Sequence, residues 1–500
     1  MGGRMGIRGG LVAALTAAWT PAAAINEVVP EPPDPTASSP RAVMSQHGFE
    51  PGNVGYILRE LDSGKVVAAH NAATPFIPAS VAKIPTAVTA LAALGPDHRF
   101  TTRVFGTGPV RKGELGGDLV LVGGGDPLLE PADLMALCRR VRAAGIRRIA
   151  GAFRYDPGVV RRRQHIAADQ PADARYNPGL SGLTMGFNQI RVDWRPKGAN
   201  GTVAANLIPS VPVIDLTRAE RGNGPGQLWQ PEVNGSRTVW QLDPHAPRRG
   251  SANLPVKHPG RVTAQVFQRM CEQAGVRLPA PRQGETPADA RPLARVRSRP
   301  VREIAKAMLA YSNNLVAELL GLAASRELVG KQLSLRASAA TVSAWWRERR
   351  TGIDWSTMHL ANHSGLSADA RLTPAQVAAM LRDPVALGHT DGVSRGLPSL
   401  LPASGGSAGM AERLDGPATA YKVWAKTGTM FYASGLAGYL YPESGRRLAF
   451  ALFVNDKAAR RAYDRDPDRR RRSVQASASA WTRRAKDLED ALVRYWAREH

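Results

Sequence analysis

The chain has 500 residues, 43% hydrophobic and 22% charged, which excludes a disordered or fibrous protein and is long enough for two or three cores. Its formal net charge is +24, carried overwhelmingly by Arg. No zinc-finger spacing or aromatic-basic RNA motif accompanies that charge, so nucleic acid is set aside; contact with an acidic envelope surface, or a general compositional habit, accounts for it instead.

Residues 1–24 read as an export leader. Arg4 and Arg8 precede an apolar run over residues 11–19, and Ala22, Ala23 and Ala24 offer a small-residue cleavage site. The run is too short to span a bilayer. The expected product is exported, to the periplasm or cell envelope. Residues 25–42 form a Pro-rich linker (Pro30, Pro32, Pro33, Pro35, Pro40), with order expected from Val43. Strands are expected over 53–60 and 66–70, around the turn Asp62-Ser63-Gly64.

They lead to Ser80 and Lys83. From Ile84 through Val88, Leu91 and Leu94 the pattern is helical up to the Gly95-Pro96 stop. Pro85 belongs in a first turn, so the helix should begin near Ser80 and bring Ser80 and Lys83 onto one face. A Ser hydroxyl is a weak nucleophile until a neighbour takes its proton, and a desolvated Lys can be that base. Roughly 0.6 Ser-x-x-Lys pairs are expected by chance in this composition, so companions must decide.

Residues 96–259 read as an inserted, mostly β region. Strands are expected over 103–106, 118–122, 149–155, 189–194 and 238–242, and a helix over 133–144. The run from Gly123 to Pro127 lacks a following Gly-Lys-Ser/Thr and reads as a turn, not a phosphate loop. Export permits a disulfide between Cys138 and Cys271, but two Cys so far apart, assigned to different domains, do not imply one.

Helices return over 262–274, 301–320 and 335–349, followed by a strand meander over 421–426, 435–441 and 448–454. A final helix over 474–496, with Trp481, Leu488, Leu492 and Trp496 apolar, is expected to pack on its own sheet rather than a membrane; residues 469–472 read as a solvated turn or helix start. Within this part lies Tyr311-Ser312-Asn313-Asn314. Ser312 can relay a proton and Asn314 can hold a substrate amide. On a helix they would be about 200° apart, so the motif needs a break. A Tyr311-x-Asn313 register stays open. Lys426-Thr427-Gly428-Thr429 ends a strand; about 0.05 Lys-Thr-Gly are expected by chance. Lys426 and the two Thr suit a substrate carboxylate, Gly428 permits close backbone approach, and the Thr429 and Ser80 N–H groups suit an oxyanion.

Ser-x-x-Lys, Ser-x-Asn and Lys-Thr-Gly in this order resemble the penicillin-binding proteins and serine β-lactamases. The long stretch between Ser80 and Ser312 narrows the resemblance to the penicillin-binding-protein-4-like D-alanyl-D-alanine carboxypeptidase/endopeptidases. Gly117-Asp118-Leu119, the Gly123–Pro127 run, Ala317-Glu318 and Ser364-Gly365-Leu366-Ser367 agree with it. The resemblance implies an α+β fold: a transpeptidase-like domain with a five-stranded antiparallel sheet, over residues 43–95 and 260–500, interrupted by the insert. It implies a serine DD-peptidase cleaving D-Ala-D-Ala termini or D-Ala cross-links of peptidoglycan stem peptides through an acyl-enzyme, with β-lactams as acylating inhibitors and no metal or other cofactor. By position, Ser80 would be the nucleophile and Lys83 its base. Ser312, Asn314 and Lys426 would complete the proton network, and Thr427, Gly428 and Thr429 would bind substrate.

Two departures concern the substrate's side-chain pocket. Asn362-His363 stands where the family often has Asp-Gly, and Ala368 stands where an Arg often follows, with Arg371 three residues on. Asp156 falls where the insert can contact substrate. His363 itself reads as polar loop. A non-catalytic cell-wall-peptide-binding protein of the same fold, or a serine β-lactamase, are the rival readings. The Gly405-Gly406-Ser407-Ala408-Gly409 run matches a nucleophile elbow but has only His500 after it, so it reads as a loop.

Overall fold

A computed structural model describes residues 39–197, 202–224, 226–349, 352–388, 396–406 and 408–500. The expected leader, most of the Pro-rich linker and Ser407 lie outside them. A short helix, Pro40–Gln46, capped by Ser39, already begins before the expected Val43.

One five-stranded sheet organises the main body, in the order Val423–Met430, Ala433–Leu440, Leu448–Asn455, Val54–Glu60, Val66–His70. Every neighbouring pair is antiparallel. Short connections make Val423–Met430, Ala433–Leu440 and Leu448–Asn455 a meander. Strand Val54–Glu60 then closes against Leu448–Asn455, with Val54 opposite Val454 and Glu60 opposite Leu448. Strands Ala433–Leu440 and Leu448–Asn455, both inside the sheet, are buried at every position, because both faces of the sheet are covered. On one face lies the last helix, Arg472–Glu499, whose Trp481, Leu488, Leu492 and Trp496 are buried. Trp496 packs 5.2 Å from Tyr56 and 6.2 Å from Phe450, ring centre to ring centre. The helix is therefore a sheet cover. Among the described residues no helix is long and apolar enough to cross a membrane.

On the other face sits helix Lys83–Leu94, buried from Lys83 through Leu91. Its Ala87, Val88 and Leu91 share one core with Ile304, Met308, Leu320, Trp346 and Phe453. Each fully buried Val, Leu or Ile there contributes about 1.5–3 kcal/mol, which holds this helix as the fixed centre of the helical layer.

The insert has its own core, with Val104, Leu121, Phe153, Trp194, Trp229, Trp240 and Phe267. A five-stranded sheet in the order Arg282–Gln283, Phe153–Asp156, Leu119–Val122, Thr101–Gly106, Arg291–Arg297 stands beside smaller three-stranded sheets. Gly124 lies in the run that resembled a phosphate loop. A Cβ on it would sit 2.1 Å from the Thr101 carbonyl oxygen, so these glycines serve close backbone packing.

Three expectations need correction. Helix Pro259–Gln273 and edge strand Arg291–Arg297 belong to the insert's core, through Val262, Phe267 and Ala294, so the boundary lies near Val301 and not at 259/260. Cys138 and Cys271 consequently share one core rather than two domains, and they are bonded. The strand expected over 149–155 breaks into Arg148–Ile149 and Phe153–Asp156. The disulfide closes a loop of 133 residues and ties helix Pro131–Ala143 to helix Pro259–Gln273. Cys138→Ser should therefore destabilise the insert by about 2–5 kcal/mol. Calorimetry should show an earlier transition; an unchanged melting profile would contradict this role.

Candidate active site

Ser80 is positioned from three sides. Before it, the buried Asn455 at the end of the central sheet clips the chain: the Ile77 N–H donates to Asn455 Oδ1 at 2.6 Å, and Asn455 Nδ2 donates to the Ile77 carbonyl at 3.3 Å. Ala79 then takes a left-handed φ of 44°, unusual for a residue with a Cβ. A single 3₁₀ turn, Ala79–Ala82, carries Ser80 into helix Lys83–Leu94. The helix thus begins where Pro85 is still tolerated.

Two glycines permit the approach of neighbouring backbone. A Cβ on Gly428 would sit 2.6 Å from the Pro78 carbonyl oxygen and 3.2 Å from the Ser80 nitrogen. A Cβ on Gly365, at φ +75°, would sit 1.8 Å from the Ala79 carbonyl oxygen. The Lys-Thr-Gly strand and the Ser364–Ser367 turn therefore press directly on the nucleophile's backbone.

Lys83 is fully buried, and its Nζ meets three oxygens, each at 2.8 Å: Ser80 Oγ, Asn314 Oδ1 and the Ser364 carbonyl. The last two can only accept. A neutral Lys83 has two N–H bonds and one lone pair. Both N–H bonds are claimed by the two acceptors, so the lone pair faces the Ser80 hydroxyl. Burial holds Lys83 well below the usual lysine pKa, the nearby Lys426 lowers it further, and Glu318 works against them. Lys426 is also buried, which pushes its pKa down to about 7; its Nζ donates to the Thr427 carbonyl at 2.7 Å.

The expected break lies at Ser312. Helix Val301–Tyr311 ends there with a left-handed φ of 55°, and helix Asn314–Val329 starts after Asn313, whose side chain accepts the Val316 N–H. The 301–320 helix is thus two helices. Tyr311 points out, 77% exposed, and Asn314 reaches Lys83, which selects the Ser312-x-Asn314 register.

Ser80, Ser312, Asn314 and Thr429 line one cleft of about 540 Å³. Thr427 is half-buried and faces the loop at Gly409 instead. The insert covers one side of the cleft with Gln170 and Tyr176. That cover is tied down: Asn314 Nδ2 donates to the Tyr176 carbonyl at 3.1 Å, and Arg470 pairs with Asp173 through Nη1 and Nη2 at 2.9–3.0 Å. Arg469 donates to the Asp169 carbonyl at 3.0 Å. Arg469 and Arg470 therefore clamp the insert's loop, and Arg471 and Arg472 open the last helix, so of the two readings of residues 469–472 the helix start holds and the solvated turn does not.

His363 is buried rather than polar loop. Its Nε2 meets Ser338 Oγ at 2.7 Å, and burial pushes its pKa down to about 3, so it stays neutral. Asn362 Oδ1 accepts the Gly365 and Leu366 N–H groups at 2.9 and 3.1 Å, a turn-stabilising role that an Asp carboxylate would also fill. Arg371 donates to the Ala368 and Ala370 carbonyls and does not line the cleft, nor does Asp156, whose carboxylate is taken by Thr286. Glu318 was visible only as a motif companion. It is fully buried and accepts the His363 and Ser364 N–H groups, one on each oxygen, at 3.0 Å. Among the described residues no cluster of His, Cys, Asp and Glu is arranged to hold a metal.

A serine bonded to a buried lysine at a helix start, beside an antiparallel five-stranded sheet, belongs to a serine hydrolase of transpeptidase-like fold. Residues 41–474 match the D-Ala-D-Ala carboxypeptidase 3 (S13) family, and the chain belongs to it. Its activity is that of a serine-type D-Ala-D-Ala peptidase. It is 29% identical over 441 residues to a D-alanyl-D-alanine carboxypeptidase of Actinomadura sp. (strain R39), covering 83% of this chain and 80% of that one. It is 26% identical over 452 residues to D-alanyl-D-alanine carboxypeptidase DacB of Haemophilus influenzae, covering 82% and 87%. The crystal structure of penicillin-binding protein 4 from H. influenzae shares the fold, with a TM-score of 0.72 at 23% identity over 83% of this chain and 93% of that one. A second crystal structure of that protein, complexed with a β-lactam, has a TM-score of 0.69 at 22% identity over 83% and 92%.

Proposed function

We propose that the protein is an exported DD-peptidase that cleaves D-Ala-D-Ala termini, or D-Ala cross-links, of peptidoglycan stem peptides through an acyl-enzyme on Ser80. The supporting observation is the three-oxygen environment of Lys83, which leaves its lone pair for the Ser80 proton. Ser80 Oγ attacks the carbonyl carbon of the scissile D-Ala bond as Lys83 takes its proton. The N–H groups of Ser80 and Thr429 receive the oxyanion, at the start of a helical turn where unpaired N–H groups favour negative charge. Ser312 passes its proton to the leaving amine and takes the one held by Lys83 in return, the C–N bond breaks, and water then resolves the ester with the neutral Lys83 again as base. Asn314 orients Lys83 and presents its amide to the peptide.

A β-lactam amide would enter the same steps and stop at the ester, consistent with the β-lactam complex of the H. influenzae protein. The substrate puts the enzyme in the cell envelope, as does the expected leader. The +24 charge suits contact with acidic envelope polymers there.

Lys426, with Thr429, is assigned to the terminal carboxylate; Thr427, turned toward Gly409, is left out of that assignment. With a pKa near 7 it gains a proton readily when a carboxylate arrives. Lys426→Ala should cut kcat/KM on a free D-Ala-D-Ala terminus by about 10²-fold, and that on a cross-linked muropeptide by clearly less. Equal losses on both substrates would remove the carboxylate from Lys426's role.

A further inference from the structure

Lys83 is aimed by two acceptors, and one of them, the Ser364 carbonyl, belongs to a turn rather than a helix or strand. Asn362 closes that turn through Gly365 and Leu366, and Glu318 holds the two residues before them, Ser364 itself included. Its two oxygens accept the N–H groups of His363 and Ser364, one each, at 3.0 Å. A protonated carboxyl offers one good acceptor and one donor; two N–H donors on two oxygens are the pattern of a carboxylate. Glu318 lies one helical turn beyond Asn314, the other acceptor for Lys83. One helix therefore sets both oxygens that orient the lysine. Burial raises the Glu318 pKa, while its bonds to His363 and Ser364 and the nearby Lys83 hold it down; the two-donor geometry makes it a carboxylate, a fully buried negative charge in electrostatic contact with that lysine.

We propose that Glu318 is a positioning residue for the Lys83 base: it fixes the carbonyl that aims the amine and stabilises the ammonium formed when Ser80 gives up its proton. The proposal rests on the reading of Lys83 as the base. The proton leaves Ser80 Oγ as the Oγ–C bond forms, resides on Lys83 Nζ, and goes on to the leaving amine; Glu318 itself exchanges none. Its charge counts most at that moment, because a buried ammonium without a counter-charge is costly. This is the arrangement of a nucleophile, a base and a third group that orients the base.

The charged groups facing Lys83 are Glu318 on its helix and Lys426 on strand Val423–Met430, and the neighbouring His363 is neutral. Removing the charge of Glu318 lowers the pKa of Lys83, so the acidic limb of acylation must move to lower pH. A purely structural defect slows the reaction without moving the limb.

The test measures acylation by a fluorescent penicillin across pH for wild type, Glu318→Gln and Glu318→Asp. Gln keeps the shape, offers one acceptor and turns an N–H toward the other backbone amide. The expected result is a fall of about 10²-fold for Glu318→Gln at neutral pH. Its acidic limb should move down by about one unit. Glu318→Asp should recover part of the rate with the limb in its wild-type place. An unchanged rate, or a slower reaction with an unmoved limb, overturns the proposal. Should Glu318→Gln fail to fold, ¹³C-carboxyl shifts of labelled glutamate in the wild type decide: a protonated Glu318 in the acylating enzyme overturns the proposal, a carboxylate upholds it. Ser80→Ala separates the two levels. If it still acylates, the base reading fails; if it is inert while Glu318→Gln behaves as wild type, only Glu318's role fails.

Discussion

Ser80→Ala should lower turnover of a D-Ala-D-Ala peptide by at least about 10⁴-fold while leaving the melting temperature essentially unchanged. The two halves of this expectation have separate physical grounds. Ser80 is only half-buried and lines the cleft, so removing its hydroxyl opens no core cavity. The turn that carries it is held by backbone and by its neighbours: Asn455 on Ile77, and the close contacts of Gly365 and Gly428 with residues 78–81. None of these needs the hydroxyl. The proposed chemistry does, because among the described residues no other hydroxyl bonds to the amine of Lys83. Residual turnover would come from the oxyanion site and binding alone. Near-normal turnover in a folded Ser80→Ala protein would remove Ser80 from the mechanism.

The second large effect concerns the base. Lys83→Met keeps the volume of the side chain and removes the amine. Acylation should fall by about 10³–10⁴-fold. The shape of the pH profile discriminates more than the size of the loss. In the wild type, Lys83 must be neutral to accept the Ser80 proton, so acylation should rise with pH through the lowered pKa of Lys83 and then level off. In Lys83→Met that rise should disappear. If the variant kept a wild-type acidic limb, the titrating base would lie elsewhere, and Lys426, at about 7, would be the first alternative. The fold should survive, though Asn314 Oδ1 and the Ser364 carbonyl each lose a donor, at a cost of about 1–3 kcal/mol. Lys83→Arg should be no better, since a guanidinium does not release its proton near neutral pH.

Much of the site was legible because its pieces are local. The three-residue spacing of Ser80 and Lys83 is a helical spacing, and Pro85 dated the helix start. The angular argument at Ser312 required a break, and a left-handed residue supplies it. The meander strands announced themselves as apolar runs joined by short connections. What was missed depends on distant partners. Arg470 reads as one of a basic run until Asp173 appears beside it. Cys138 and Cys271 sit on two amphipathic helices, and periodicity shows that each has an apolar face without showing that the faces meet. The same limit misplaced the boundary at 259/260, since a helix following β structure can pack on either core. His363 and Glu318 are polar residue types in the interior, made acceptable by Ser338 and by two backbone N–H groups, none of which is adjacent in the chain.

The central claim is an acyl-enzyme on Ser80, and mass spectrometry after penicillin treatment tests it most directly. The account predicts a stable adduct of one penicillin per chain, located on Ser80. An adduct on another residue, or none from a folded protein, would contradict it, and rapid penicillin hydrolysis without accumulation would make the protein a β-lactamase instead.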